Sequence, residues 1–358
     1  MRVCILEEFT RLGGGQVYAL QMARALTELG HSVEFVVTGD IKVDPKYPVR
    51  HVDVGFKASY DPASLLINYI NHRRLRRLLG RYVDDCDLVI NNHPNYIPYN
   101  KGPIVLHGLS FVDFIIDENG NIRNQLLFWV LSRIYRMYDG SYMIYNSRYT
   151  MNLAKKLLPK IGIEPRLEYV LSPHYTISTD SIPEKEDYVL TLGRLEWSKG
   201  YRELIKIAPR IGKRIIVAGR ADARESREVI RVLRGGVKNI DVMPDIDEKT
   251  KEELYKHASI YLHLKLNEHF GIAVLDAIAT ATIPIVPRTG GPWTDIVEEG
   301  KYGLGYTNTE EIPQLINKAE ETINRERVFE GRERYSPENF RRRLMKALSM
   351  AIHSEDAE

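Results

Sequence analysis

Short β-branched runs alternate with helix-periodic stretches along this chain of 358 residues, and they do so in two successive cycles. Strand, helix and strand repeated in this way pack as a parallel sheet with helices on its faces. The first cycle opens with Val3-Cys-Ile-Leu, a glycine loop at Gly13–Gly15 and a helix from Val17 to Leu29. Leu20, Ala23, Leu26 and Leu29 share one face of that helix, and Gly30 ends it as a C-terminal cap. Further strands are expected at Ser32-Val-Glu-Phe-Val-Val, Leu88-Val-Ile-Asn, Ile104-Val-Leu-His and Tyr142-Met-Ile-Tyr. The polar, proline-marked stretch from Leu171 to Pro183 reads as a linker. The second cycle runs through Tyr188-Val-Leu-Thr-Leu-Gly-Arg194, Arg214-Ile-Ile-Val-Ala-Gly219, Ile240-Asp-Val-Met, Ile260-Tyr-Leu-His-Leu and Ile283-Pro-Ile-Val-Pro.

The expected fold class is therefore α/β, with two Rossmann-like halves whose strand ends face an interdomain cleft, the usual place for a ligand. The length also exceeds what one ordinary core serves. Domains are expected at 1–175 and 176–335. Residues 336–358 form a terminal helix, which Ser336 caps and Pro337 starts, and packing back on the first domain is one arrangement for it.

A composition of 44% hydrophobic and 27% charged residues is that of a soluble globular protein. The net charge of +2 gives no whole-chain reason to expect nucleic acid as a partner. Of the two cysteines, Cys4 lies in the first apolar run and Cys86 just before another. They form no CxxC and no zinc-like cluster, so neither a disulfide framework nor a structural zinc is expected. The N-terminus enters a strand without the apolar core of a signal peptide, and no apolar run nears the ~20 residues that span a bilayer. A cytoplasmic location is expected. Contact with the inner face of the membrane stays open through basic helices, notably Arg73-Arg-Leu-Arg-Arg-Leu-Leu-Gly-Arg81, whose plainer reading is a solvated helix face.

The chemistry concentrates in the second half. Glu268-His-Phe-Gly-Ile-Ala-Val-Leu-Asp276 follows a strand and opens a helix. The two acids stand about two turns apart and project roughly the same way. Gly271 permits close approach to the backbone, and the helix N-terminus there, around Phe270, Gly271 and Ile272, suits a diphosphate. Gly193-Arg194 to Lys199-Gly200, in another strand-to-helix loop, supplies two cations five residues apart, one forked and one point-like. Two such loops together point to an enzyme that binds a nucleotide-sugar.

The order of a Gly-Gly loop, His-Gly, Gly-Arg-x5-Lys-Gly, Glu-x-Phe-Gly-x4-acid and Gly-Gly-x3-Asp-Ile-Val resembles the retaining GT-B glycosyltransferases of the glycogen-synthase-like superfamily, often called family 4. Asn267-Glu-His-Phe-Gly-Ile and Gly290-Gly-Pro-x-x-Asp-Ile-Val are most similar to mannosyltransferases that extend lipid-linked core oligosaccharides. The resemblance implies a hexose moved, with retention, from a nucleoside-diphosphate sugar to a hydroxyl acceptor such as a glycan or lipid-linked glycan, GDP-mannose being slightly favoured as donor. It further implies that Arg194 and Lys199 neutralise the donor diphosphate and that backbone N–H groups around Phe270, Gly271 and Ile272 assist. Glu268 would position the sugar, and Asp276 would hold the ribose. Gly14 and Gly15 would let the first domain's backbone close over the donor, and His107 would contact the sugar near its anomeric centre or 6-hydroxyl. The family usually carries Glu where this chain has Asp276.

Asn91, Asn92 and His93 end a strand and could form part of the acceptor wall, although such residues at strand ends also serve as turn chemistry. The triplets Asp85-Cys-Asp87 and Asp245-Ile-Asp247 resemble metal-binding Asp-x-Asp, but capping explains them better, and no metal or other cofactor is expected. The glycine loop is not GxGxxG, which disfavours NAD. A nucleotide-sugar 2-epimerase and a catalytically inactive nucleotide-sugar or glycan-binding protein remain as alternatives.

Overall fold

The computed structural model describes all residues except 10–12, 38–40, 42–43, 53–73, 95–96, 98, 109–124 and 356–358. Two compact units make up the chain: Met1–Pro173 with Pro337–Glu358, and His174–Ser336.

The first unit holds β1 (Arg2–Glu7), α1 (Gly14–Glu28), β2 (Ser32–Val37) and β3 (Val49–His51). A helix α2 over 74–83 follows. Then come β4 (Leu88–Asn91), β5 (Ile104–Leu106), α3 (Gln125–Tyr135), β6 (Tyr142–Tyr145), α4 (Arg148–Leu157) and β7 (Leu167–Val170). Among the described residues its seven strands are all parallel, in the order β3-β2-β1-β4-β5-β6-β7. β3 and β7 were not legible in the sequence, being short edge strands with polar residues.

Val3, Cys4, Ile5 and Leu6 are apolar without a break because both faces of β1 are covered. Val3 and Ile5 pack with Tyr18, Met22 and Leu26 of α1. Cys4 and Leu6 point the other way, against Leu75, Leu79 and Val83 of α2. The apolar face of α2 is thus used within the unit, while Arg74, Arg76, Arg77 and Arg81 stay exposed; Arg73 lies outside the described residues. α1 begins earlier than its apolar periodicity suggests. Gln16 folds back to accept from the Gly13 N–H at 3.0 Å, so Gly14 and Gly15 form a helical first turn rather than a loop.

The last helix, α11 (Pro337–Glu355), belongs to this unit. Phe340 meets Tyr18 edge-on at 5.7 Å, the Arg343 guanidinium donates to the Val170 carbonyl at 2.6 Å, and the Tyr142 hydroxyl donates to Ala347 at 3.0 Å.

Cys4 and Cys86 are bonded, which corrects the expectation of no disulfide framework. Their separation of 82 residues hid the pairing, because β4 lies beside β1 in register Val3↔Leu88 and brings the Cα atoms to 6.0 Å. The adjoining turn is fixed by Asp87, whose carboxylate accepts from the Arg2 N–H at 2.6 Å.

The second unit holds β8 (Glu186–Leu192), α5 (Tyr201–Ile207), β9 (Arg214–Gly219), α6 (Ser226–Gly236), β10 (Ile240–Pro244) and α7 (Glu248–His257). It continues with β11 (Ala258–Leu262), α8 (Ile272–Ala279), β12 (Ile283–Pro287), β13 (Leu304–Tyr306), α9 (Ile312–Thr322) and α10 (Arg325–Glu330). Six parallel strands run β10-β9-β8-β11-β12-β13, and the three-residue β13 escaped sequence reading. In both sheets the winding reverses at the first strand, between β1 and β4 and between β8 and β11, and crevices at such switch points bind ligands.

A closed loop of 82 residues restricts the unfolded chain by roughly 4 kcal/mol on the chain-entropy account. Reduction is expected to lower the unfolding midpoint by roughly 5–15 °C. Alkylation in denaturant without reductant should label neither cysteine; labelling of both would contradict the bond.

Candidate active site

β8 delivers Arg194 and Lys199 from its carboxyl end, and β11 delivers the stretch from His263 to Glu268 from the neighbouring one. Lys199 ends a short 3₁₀ turn, and its Nζ lies 3.3 Å from Oε2 of Glu268. Lys265, which the sequence reading did not single out, brings a second ammonium to 3.2 Å from the same oxygen. Its signal was the spacing of three residues from Glu268. Burial alone would raise the Glu268 pKa, but Lys199, Lys265 and His263 overcome it and hold the carboxyl well below the usual range. Arg194 pairs with Glu196 at 3.1 Å.

The backbone under Glu268 is built from glycines. The Gly291 N–H donates to the Glu268 carbonyl at 2.8 Å, and the Asn267 N–H donates to Thr289 Oγ1 at 3.2 Å. A Cβ on Gly290 would stand 2.6 Å from the Glu268 carbonyl oxygen, and one on Gly291 would stand 2.2 Å from that of His269. Only glycine admits this approach. Gly271, at φ +99°, is the N-cap of α8, and Phe270 beneath it is 3% exposed and packs edge-on against Tyr335 at 5.7 Å. Ile272 starts α8, whose first-turn N–H groups make a positive end beside Glu268.

Asp276 differs from its expected role. It is 2% exposed, and its oxygens accept from the Thr176 N–H at 2.6 Å, the Thr176 hydroxyl at 2.8 Å and the Ile177 N–H at 3.3 Å. Burial pushes its pKa up, partly offset by Lys251 and these donors. One methylene shorter than Glu, the carboxylate stays at the helix surface and straps the start of the unit to α8, so this geometry does not present it to a ribose.

His263 is also new. It is 7% exposed, its Nε2 has no hydrogen-bond partner among the described residues, and burial pushes its pKa down to about 4. Burial does the same to His269, also to about 4.

In the first unit, Glu7 ends β1 and collects Asn92 and His93 from the end of β4 and Gln16 from α1. His107, just past β5, joins through its Nε2, 2.8 Å from Asn92 Oδ1. Gly15 lies against the His107 ring, and its carbonyl accepts from Asn92 Nδ2 at 3.2 Å; Gly14 is exposed. Asn91 touches this group only by accepting from the His93 backbone N–H at 3.1 Å. It is fully buried, and its amide donates to the carbonyls of Ile97 at 2.7 Å and Tyr99 at 2.8 Å, so it holds a loop rather than forming an open wall. Asp247 caps α7 by accepting from the Thr250 N–H at 2.7 Å, and Asp85 pairs with Arg2 and Arg50. Among the described residues no group of three His, Cys, Asp or Glu side chains could hold a metal ion, and no helix is long and apolar enough to cross a membrane.

Residues 12–165 match the family model of "Glycosyltransferase Family 4", and residues 177–342 match that of "Glycosyl transferases group 1". The chain belongs to the family 4 glycosyltransferases. An uncharacterized glycosyltransferase of Methanocaldococcus jannaschii is 30% identical over 114 residues, 31% of this chain and 29% of that protein. A GDP-Man:Man(3)GlcNAc(2)-PP-Dol alpha-1,2-mannosyltransferase of Dictyostelium discoideum is 22% identical over 154 residues, 40% of this chain and 30% of that protein. The chain thus spans under a third of the length of these curated relatives. The structure of HepE from Anabaena with UDP and glucose superposes with a TM-score of 0.71 at 15% identity, covering 98% of this chain and 100% of that one. The fold of this glycosyltransferase is therefore GT-B, with two α/β Rossmann-like domains.

The pKa of His263 predicts a pH dependence. Its folded value of about 4 lies below the ordinary ~6.5, so the unfolded state binds more protons between these values. The stability is present above pH ~6.5 and is lost as pH falls toward 4, amounting to roughly 2 kcal/mol by pH 5. Urea unfolding at pH 7.5 and 5.0 should show a smaller loss in His263→Asn than in wild type. An equal loss in both would refute the assignment.

Proposed function

We propose that this glycosyltransferase moves a hexose from a nucleoside-diphosphate sugar to a hydroxyl acceptor such as a glycan or lipid-linked glycan, with retention at the anomeric carbon. The observation that carries the reading is the ionised Glu268 held between Lys199 and Lys265 at the mouth of α8. A bound diphosphate is a stronger partner for these ammoniums than one carboxylate. Its oxygens would take Lys199 as a point charge, Arg194 as a fork and the first-turn amides of α8 as neutral donors. Glu268 would accept hydroxyl hydrogens of the donor sugar and orient the ring.

As the sugar–phosphate bond breaks, negative charge grows on the leaving phosphate, and fixed cations stabilise that charge more than the ground state. No residue is assigned as nucleophile. Retention would follow from attack on the face that the phosphate leaves, its oxygen taking the acceptor proton. GDP-mannose is favoured as donor on the resemblance to mannosyltransferases, whereas the neighbour solved with UDP and glucose supports a UDP-linked sugar as the competing choice.

The test is transfer and binding across GDP-mannose, UDP-glucose, UDP-N-acetylglucosamine and ADP-glucose, with Lys199→Ala beside wild type. The variant is expected to lose about 10²–10³-fold in kcat with its melting temperature little changed, because Lys199 is partly buried, with 23% of its side chain exposed, and acts on leaving-group charge. Near-normal turnover in Lys199→Ala, or no binding of any donor to wild type, would sink the reading.

A further inference from the structure

We infer that Glu7 is a positioning residue whose carboxylate sets the tautomers of two imidazoles, His93 and His107, at the carboxyl end of the first unit's sheet. Nothing in the sequence marked Glu7, which sits at the end of β1 and is fully buried. Its Oε1 accepts from the Glu8 N–H at 2.7 Å, from Gln16 Nε2 at 3.0 Å and from His93 Nδ1 at 2.9 Å. Its Oε2 accepts from Asn92 Nδ2. Burial would raise its pKa, but His93 and the other donors bring it below the ordinary value, so the group is anionic.

An ionised carboxylate can only accept hydrogen bonds. His93 must therefore carry hydrogen on Nδ1. Asn92 must likewise turn its NH₂ toward Glu7, and the same orientation lets it donate to the Gly15 carbonyl at 3.2 Å. That leaves Asn92 Oδ1 facing His107 Nε2 at 2.8 Å. An amide oxygen accepts only, so His107 must carry hydrogen on Nε2. Tyr18 holds the ring edge-on at 4.9 Å. One buried charge thus fixes opposite tautomers in the two rings. In the neutral rings the lone pair lies on Nε2 of His93 and on Nδ1 of His107, so any group that hydrogen-bonds to either nitrogen must donate its hydrogen. A polyhydroxyl ligand such as a sugar fits that requirement. The link to catalysis rests on the glycosyl-transfer reading; the tautomers do not.

The change that isolates this role is Glu7→Gln. The glutamine NH₂ requires an acceptor, which Asn92 supplies by flipping its amide at the expense of its bond to the Gly15 carbonyl, and the flipped NH₂ then faces His107 and forces the proton to Nδ1. The experiment is ¹⁵N NMR of the full chain labelled at histidine, with the two rings assigned by signal loss in His93→Gln and His107→Gln. Wild type is expected to show His93 protonated at Nδ1 and His107 at Nε2, and Glu7→Gln to move the His107 proton to Nδ1. In transfer assays the same variant is expected to lose about 10- to 100-fold in kcat with donor KM changed less than about 3-fold.

A wild-type His107 protonated at Nδ1 alone would overturn the inference even if the variant does not fold. So would wild-type tautomers persisting in Glu7→Gln. Inverted tautomers with unchanged kcat would overturn the link to catalysis. Absence of transfer by wild type from every nucleotide sugar would instead defeat the functional reading, while the spectra still decide the tautomers.

Discussion

A parallel sheet covered on both faces leaves polar side chains few places to emerge, and the carboxyl ends of its strands are the chief one. Both units of this protein obey that constraint. Val3 to Leu6 are wholly buried, and the next polar residue of β1 after Arg2 at its start is Glu7, at its end. β11 is buried throughout, and its chemistry begins at His263 and culminates in Glu268. The winding of each sheet reverses beside these strands, so the loops diverge there and leave room for side chains to converge.

The two carboxylates are kept ionised by different means, and the difference matches their proposed work. Glu268 is held by two ammoniums, which can be shared with an incoming diphosphate. Glu7 is held by a backbone N–H, two side-chain amides and an imidazole, donors that cannot leave without a buried charge going unpaired. The first arrangement suits a site that exchanges partners, and the second suits a fixed reference for neighbouring rings. The Gly290–Gly291 pair supports the former by letting one loop pass against the Glu268 and His269 carbonyls.

Sequence reading reached the interior strands and the residues from Arg194 to Asp276 because continuous apolar runs and glycine-marked strand ends are local signals. It missed β3, β7 and β13, whose short edges carry no such run. It missed the Cys4–Cys86 bond and the Glu7 cluster for one common reason: their partners arrive through sheet pairing across some eighty residues. Asp276 shows the limit of a motif. Its place in the pattern suggested an open carboxylate, whereas Thr176 and Ile177, far away in sequence, occupy its oxygens. Asn91 fails similarly, since the carbonyls of Ile97 and Tyr99 use its amide.

Glu268, Lys199 and the mouth of α8 are proposed to form the donor diphosphate site. A crystal structure of the full chain with a bound nucleoside diphosphate tests it most directly. Phosphate oxygens should lie within hydrogen-bond distance of Lys199, Arg194 and the first-turn amides of α8. A diphosphate bound elsewhere, with the Lys199–Glu268 pair intact, would contradict it.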